Sequence, residues 1–194
     1  TILYQTGLLF ALCLCVSAFH TWPKDQSYLC KRPSTVNNFD WNKFSGPWLT
    51  AARDITKPED EAFFSTATCA NVNVWPSNSS WSINVLIGGE IPDITGPYYP
   101  LTPNKGLIRI YWTARKTYYN FAVTCTDYTS YAVAYLCGYT SDYSKTEFTL
   151  LLVRDIKEFD RIKNSADYRK CVAQTANNPV DKIIRVQHNQ CTNY

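Results

Sequence analysis

Trp81, Ile83, Val85 and Ile87 alternate with Ser80, Ser82, Asn84 and Leu86, and this period of two constrains the fold more than any other feature of the chain. Successive side chains of a strand point to opposite faces, so such a run has one apolar face to bury and one face to leave outside. The pattern recurs. Ala70, Val72 and Val74 alternate with Asn71 and Asn73, and Ile108, Ile110 and Trp112 alternate with Arg109 and Tyr111. Segments 118–124, 131–137 and 147–154 extend the series as an up-and-down meander with short connections. Upstream, Gly46-Pro47-Trp48 reads as the entrance of a first strand whose Trp plugs one end of a barrel. Gly46 permits a backbone conformation that other residues avoid, and Pro47 fixes φ near about −65°. Residues 90–104 hold four prolines and Tyr98-Tyr99, and read as an irregular rim or edge segment. The fold class expected is all-β: eight short strands in a closed antiparallel barrel, which removes exposed edges and leaves room for one small ligand.

From about Ile156 to Ala176 the period changes. Phe159, Ile162, Ala166, Tyr168, Val172 and Ala173 recur at spacings near three and four among charged residues, so an amphipathic helix is expected, broken near Asn164-Ser165 and ended by Asn177-Asn178-Pro179. Residues 180–186 read as a short extended tail. A chain of 194 residues fits one domain, and its net charge of +3, dispersed among acidic residues, argues against nucleic acid as a partner.

Residues 7–18 are an uncharged apolar run, and Val16-Ser17-Ala18 supplies small residues where a signal peptidase reads, so residues 1–18 are expected to be a signal peptide. The run is too short for a membrane span of about 20 residues, and secretion to the extracellular space is the expectation. Residues 19–38, polar and anchored only by Cys30, read as an N-terminal arm, and 39–194 as the domain. Six cysteines follow the signal, an even count that in a secreted chain reads as disulfides with 15 pairings open. With no Cys-x-x-Cys and only His20 and His188, no metal site is expected. Asn78-Ser79-Ser80 is a glycosylation sequon, which places Asn78 in an exposed turn.

Three ordered segments carry a family resemblance: Phe44-Ser45-Gly46-Pro47-Trp48; Thr126-Asp127-Tyr128 with the strand that runs to Cys137; and Phe148 to Arg154. The chain resembles the lipocalins, and among them the invertebrate bilin-binding, crustacyanin and apolipoprotein D-like branch. The resemblance implies an eight-stranded up-and-down lipocalin barrel with one C-terminal helix packed outside. It gives Gly46, Trp48, Thr126, Asp127, Tyr128 and Arg154 structural roles, with the Arg154 guanidinium laid across the Trp48 indole and Asp127 accepting backbone hydrogen bonds. It also implies the disulfides Cys30–Cys137 and Cys69–Cys191, which leaves Cys125 with Cys171.

Family parity and, for Trp81, Ile83, Val85, Ile108, Ile110 and Trp112, simple alternation turn a set of side chains into the barrel. These are Trp81, Ile83, Val85, Ile108, Ile110, Trp112, Tyr119, Phe121, Val123, Ala132, Ala134, Phe148, Leu150 and Leu152, with Tyr99 near Tyr98 as a gate at the rim. Leu86, Leu136 and Leu151 are taken to face outward. Two alanines opposite bulky aromatics leave volume for a flat hydrophobic ligand. The function implied is a secreted carrier of a small hydrophobic molecule such as a bilin, carotenoid, retinoid or fatty acid. No cofactor is required, although a bound chromophore (bilin or carotenoid) fits the resemblance, and Arg109, Arg115 or Lys116 would serve a bilin's propionates. The alternative is a protein-binding lipocalin, a salivary inhibitor or an assembling pigment-coat subunit, in a homo- or hetero-oligomer. No catalytic set has order or spacing behind it, so no enzyme is expected.

Overall fold

The computed structural model describes residues 30–139, 145–189 and 191. The expected signal peptide and the arm up to residue 29 lie outside the described residues. The elements are α1 (Trp41–Phe44), β1 (Gly46–Ile55), α2 (Pro58–Phe64), β2 (Thr68–Trp75), β3 (Ser80–Leu86), β4 (Thr95–Pro100), β5 (Leu107–Trp112), β6 (Thr117–Thr126), β7 (Tyr131–Tyr139), β8 (Lys145–Val153), α3 (Phe159–Ile162), α4 (Ala166–Thr175) and β9 (Ile184–Arg185). Strands β1 to β8 pair antiparallel, each with the next in sequence, and β8 and β2 both flank β1. The circuit is therefore a closed eight-stranded up-and-down barrel, with β9 outside it and the C-terminal helices packed on the wall.

Two elements were not legible. Residues 95–100, read as irregular, form β4, whose Tyr98 is buried in the interior despite Pro97 and Pro100 on either side. This strand pairs with β3 through only Thr95 to Pro97 and with β5 through Tyr98 to Pro100, so the missing proline donors cost little ladder. Helix α2, with Pro58 in its first turn, lies in the β1–β2 connection, where no strand or helix period shows in the sequence. The C-terminal helix is interrupted at 163–165, and Ser165 caps α4 by accepting from the Tyr168 amide. Residues 180–182 form a short 3-10 turn rather than extended chain.

Strand β1 does not alternate evenly. Its register against β8 shifts between Thr50 and Ala52. Before this bulge, Trp48 and Thr50 face the barrel interior. After it, Ala51 and Ala52 both pack outward against Leu151, Tyr168 and Val172, and Arg53 and Ile55 turn inward. A bulge adds one residue and so reverses the parity of all that follows. Asp54 consequently faces out, where its carboxylate accepts the amides of Asn177 (2.6 Å) and Asn178 (3.1 Å) just past α4.

Strands β1 and β2 pair only from Gly46 to Leu49. Beyond that point the C-terminal tail fills the seam. β9 pairs with Ala52 and Arg53, Gln187 bridges Thr68, and Val186, 2% exposed, donates its amide to Ala51 O and joins the interior core. Three disulfides tie the periphery down: Cys30–Cys137 holds the arm to β7, Cys69–Cys191 holds the tail to β2, and Cys125–Cys171 holds α4 to β6. Each closes a loop long enough to contribute roughly 2–4 kcal/mol by restricting the unfolded chain.

Candidate functional site: the barrel interior and its two ends

One end of the barrel is sealed. The Trp48 indole, fully buried, stacks on Phe44 at 5.0 Å and donates Nε1–H to Phe44 O at 2.8 Å. The Arg154 guanidinium lies over the same indole with its carbon 3.7 Å from the ring centroid, and donates to Pro47 O and Ser45 O, both at 2.9 Å. Gly46, at φ +88°, turns the chain here, and a Cβ on it would sit 3.5 Å from Arg154 Nη1. Phe39, Trp41 and Tyr128 complete the plug, and the Tyr128 hydroxyl accepts the Asp40 amide at 3.1 Å. The β6–β7 turn beside it is built on Asp127, whose Oδ1 accepts the amides of Thr129, Ser130 and Tyr131 at 2.8–3.0 Å. Partial burial alone would raise the pKa of this carboxyl. The hydrogen bonds outweigh it and hold Asp127 below the usual carboxylate range. Thr126 Oγ1 donates to Tyr131 O at 2.8 Å and accepts the Tyr128 amide.

Above the plug, the interior is apolar. Trp81, Val85, Ile108, Ile110, Trp112, Tyr119, Phe121, Val123, Ala132, Ala134, Phe148, Leu150 and Leu152 belong to one buried cluster inside the barrel, with Ile83 packed against it. Of these, Ile83, Val85, Phe148 and Leu150 line a cavity of about 60 Å³, together with Thr50, Arg53, Ile55, Phe64, Ala67, Ala70, Leu136 and Val186. The remainder fill the interior with side chains, Trp112 and Tyr119 towards the end opposite Trp48. Leu136 is thus an inward residue, not an outward one: it shares parity with Ala132 and Ala134. A larger hollow of about 180 Å³ lies outside the wall, between residues 31–35 of the arm and Leu107, Asn120, Ala122 and Tyr135.

Tyr99 does not take the place expected of it. It pairs with Arg109 in register while Tyr98 pairs with Ile110, so Tyr98 is the inward residue and Tyr99, 46% exposed, stands on the outer wall. Arg109 lies on that same face, over Tyr118 at 5.7 Å, and so cannot serve a ligand in the lumen.

Helix α2 covers the other end. Phe64 meets Phe148 edge-on at 5.3 Å, and Phe63 lies 5.5 Å under the Arg115 guanidinium, which also stacks on Trp112 at 4.3 Å. Arg53, 5% exposed, rises from the lumen to meet this lid. Its Nη2 donates to Phe64 O at 2.6 Å and to Glu61 Oε1 at 3.3 Å. Among the described residues, Arg53 Nε, Asp60 Oδ2 and Glu61 Oε2 are buried here without a hydrogen-bond partner. The Tyr119 hydroxyl is buried nearby; burial raises its pKa, and the adjacent Arg115 works in the opposite direction. Arg53 was missed because plain alternation from Trp48 sends it outward. Its sequence signal is an arginine that, with Asp54, interrupts a strand whose other members are small or apolar.

Asn78 is exposed in the 3-10 turn between β2 and β3, and Ser80 Oγ donates to its side-chain oxygen at 2.6 Å. His188 contacts Thr50 O through Nε2 at 2.9 Å. Among the described residues no cluster of His, Cys, Asp or Glu could hold a metal ion, and no helix is long and apolar enough to cross a membrane.

No family model and no curated protein matches the chain. Solved structures do. Insecticyanin from the tobacco hornworm Manduca sexta superposes with a TM-score of 0.58 at 18% identity, over 83% of this chain and 87% of that one. The cockroach major allergen Per a 4 gives 0.61 at 17%, over 85% and 98%. LTBP1, solved as a complex with LTC4, gives 0.53 at 20%, over 79% and 90%. With an eight-stranded up-and-down barrel, a Trp–Arg seal at one end and a C-terminal helix on its wall, the chain has the lipocalin fold.

Proposed function

We propose that the protein is a secreted carrier that holds a small hydrophobic molecule in the barrel, entered from the α2 end. The observation that carries this reading is the asymmetry of the interior. It is plugged by aromatics at Trp48, and it ends in an apolar cavity beneath a short helix at the other end. The cavity of about 60 Å³ is far below the roughly 300–1,000 Å³ of ligand pockets. Uptake therefore requires α2 and Phe64 to move and Phe148 to change rotamer. Three disulfides support an oxidising compartment. They also occupy all six cysteines among the described residues, which supports binding rather than catalysis.

The small cavity also favours a second reading, a filled barrel that acts through its outer wall. Tyr99, Arg109, Tyr111 and Tyr118 form an aromatic and arginine face there, the composition of a protein contact. An absorption spectrum of protein from its own tissue, followed by mass spectrometry of an organic extract, separates the two. A visible band or a stoichiometric lipophile supports the carrier and identifies a chromophore or a colourless ligand. Neither, with no quenching of Trp fluorescence by fatty acids, retinoids or bilins, supports the outer wall.

A further inference from the structure

A guanidinium inside an apolar chamber is costly unless it is paired and fully hydrogen-bonded. Arg53 meets that condition only in part. One nitrogen, Nη2, donates to both Glu61 Oε1 and Phe64 O, while Nε has no partner among the described residues. Glu61 is likewise half used, with Oε1 engaged at 3.3 Å and Oε2 buried without a partner. An arginine's Nε and Nη2 form the edge that grips a carboxylate with two parallel bonds. Arg53 lines the cavity with Nε unspent and Nη2 lent to the lid.

Resting on the carrier reading above, we propose that Arg53 is the head-group site of the chamber and that the ligand is a hydrophobic carboxylate. Helix α2 is its built-in competitor. An entering acid takes both donors of the Nε–Nη2 edge. To do so it displaces Phe64 O and Glu61 from Nη2, which frees the C-terminal end of α2. Phe64 then leaves Phe148, and the cavity lengthens along the barrel as the head group binds. A neutral lipophile leaves the latch intact and meets a closed cavity of about 60 Å³. Charge recognition and lid opening are thus one event. The chemistry required is a carboxylate on an apolar body, whether a straight-chain acid or a propionate-bearing pigment.

The test compares each acid with its neutral ester: cis-parinaric acid with its methyl ester, and biliverdin with its dimethyl ester, titrated against the full disulfide-bonded protein by fluorescence. At least one acid is expected to bind about tenfold or more tighter than its ester, the size of one charge-assisted hydrogen bond pair. The pair that shows it names the source of the carboxylate. Arg53→Gln is expected to erase that preference. Glu61→Gln, at a side chain 28% exposed whose loss does not threaten the fold, is expected to tighten acid binding several-fold and ester binding less, so that the acid preference widens. Equal binding of acid and ester, or an acid preference indifferent to both substitutions, overturns the inference and leaves the carrier standing. If none of the four ligands binds, the carrier reading falls and this inference with it.

Discussion

Replacing Arg154 with alanine tests whether the sealed end is an energetic keystone. The guanidinium makes two hydrogen bonds of 2.9 Å, to Ser45 O and Pro47 O, and two longer ones of 3.3 and 3.4 Å, to Phe44 O and Lys43 O. Bonds from a charged donor contribute roughly 1.5–3 kcal/mol each when buried, but Arg154 is only partly buried, so about 1 kcal/mol for each short bond is the working figure. The face of Trp48 at 3.7 Å adds about 0.5–2 kcal/mol. Arg154→Ala should therefore lower stability by about 2–4 kcal/mol. That corresponds to a fall in Tm of roughly 5–12 °C for a domain of this size. Arg154→Lys keeps the charge over the ring but loses the fork, and should cost about 1–2 kcal/mol. Urea unfolding of oxidised protein, followed by Trp fluorescence and far-ultraviolet circular dichroism together, measures both. A double-mutant cycle with Trp48→Phe isolates the ring contact. A loss below about 0.5 kcal/mol for Arg154→Ala, at unchanged m, would refute the reasoning, since the carbonyls of residues 43–47 would then be satisfied as well by water.

Asp127→Asn should remove part of the acid dependence of stability. The folded-state pKa of Asp127 is depressed, so its contribution is present above the unfolded carboxylate pKa and lost as pH falls through the folded value; the variant's stability should fall less between about pH 4 and pH 2. Gly138→Ala should destabilise by several kcal/mol or abolish folding, because a Cβ there meets the Tyr119 ring and lies 2.7 Å from Tyr118 O, readable as loss of soluble oxidised protein. Phe64→Ala should cost only about 1 kcal/mol of stability while raising the association rate of cis-parinaric acid severalfold in stopped flow; an unchanged rate would remove α2 as the gate. Replacing both Cys69 and Cys191 with serine should cost roughly 2–4 kcal/mol and expose the tail near residues 184–189 to proteolysis.

Much of the architecture was legible because its period and its order agree. Strands such as β3 and β5 declare their inward faces by alternation alone, and the Gly46–Trp48, Thr126–Tyr128 and Arg154 segments fix where the circuit begins and closes. The candidate site was less legible, and for definite reasons. Alternation holds only while the ladder is regular, so the bulge at Ala51 hid Arg53, a cation that lines the cavity. Tyr98 and Tyr99 are adjacent and identical, and only the register of β4 against Ile110 and Arg109 says which faces in. Helix α2 spans seven residues and owes its place to Phe64, Arg53 and Arg115 rather than to its own pattern, which a sequence cannot display.

The tail wedged between β1 and β2 has a kinetic meaning. Val186 and Gln187 complete a wall whose other members are some 120 positions earlier in the chain, as the separation of 122 between Cys69 and Cys191 records. During synthesis from the N-terminus, β1 to β8 can assemble before that segment has emerged, but one side of the vessel still stands ajar. On the proposed carrier reading, hydrophobic cargo acquired in that interval would enter sideways, without passing the lid. Closure of Cys69–Cys191 would shut that route and leave the α2 end as the way in and out. A carrier loaded while it is being made and one loaded afterwards would then hold different molecules, and the order of disulfide formation would decide which.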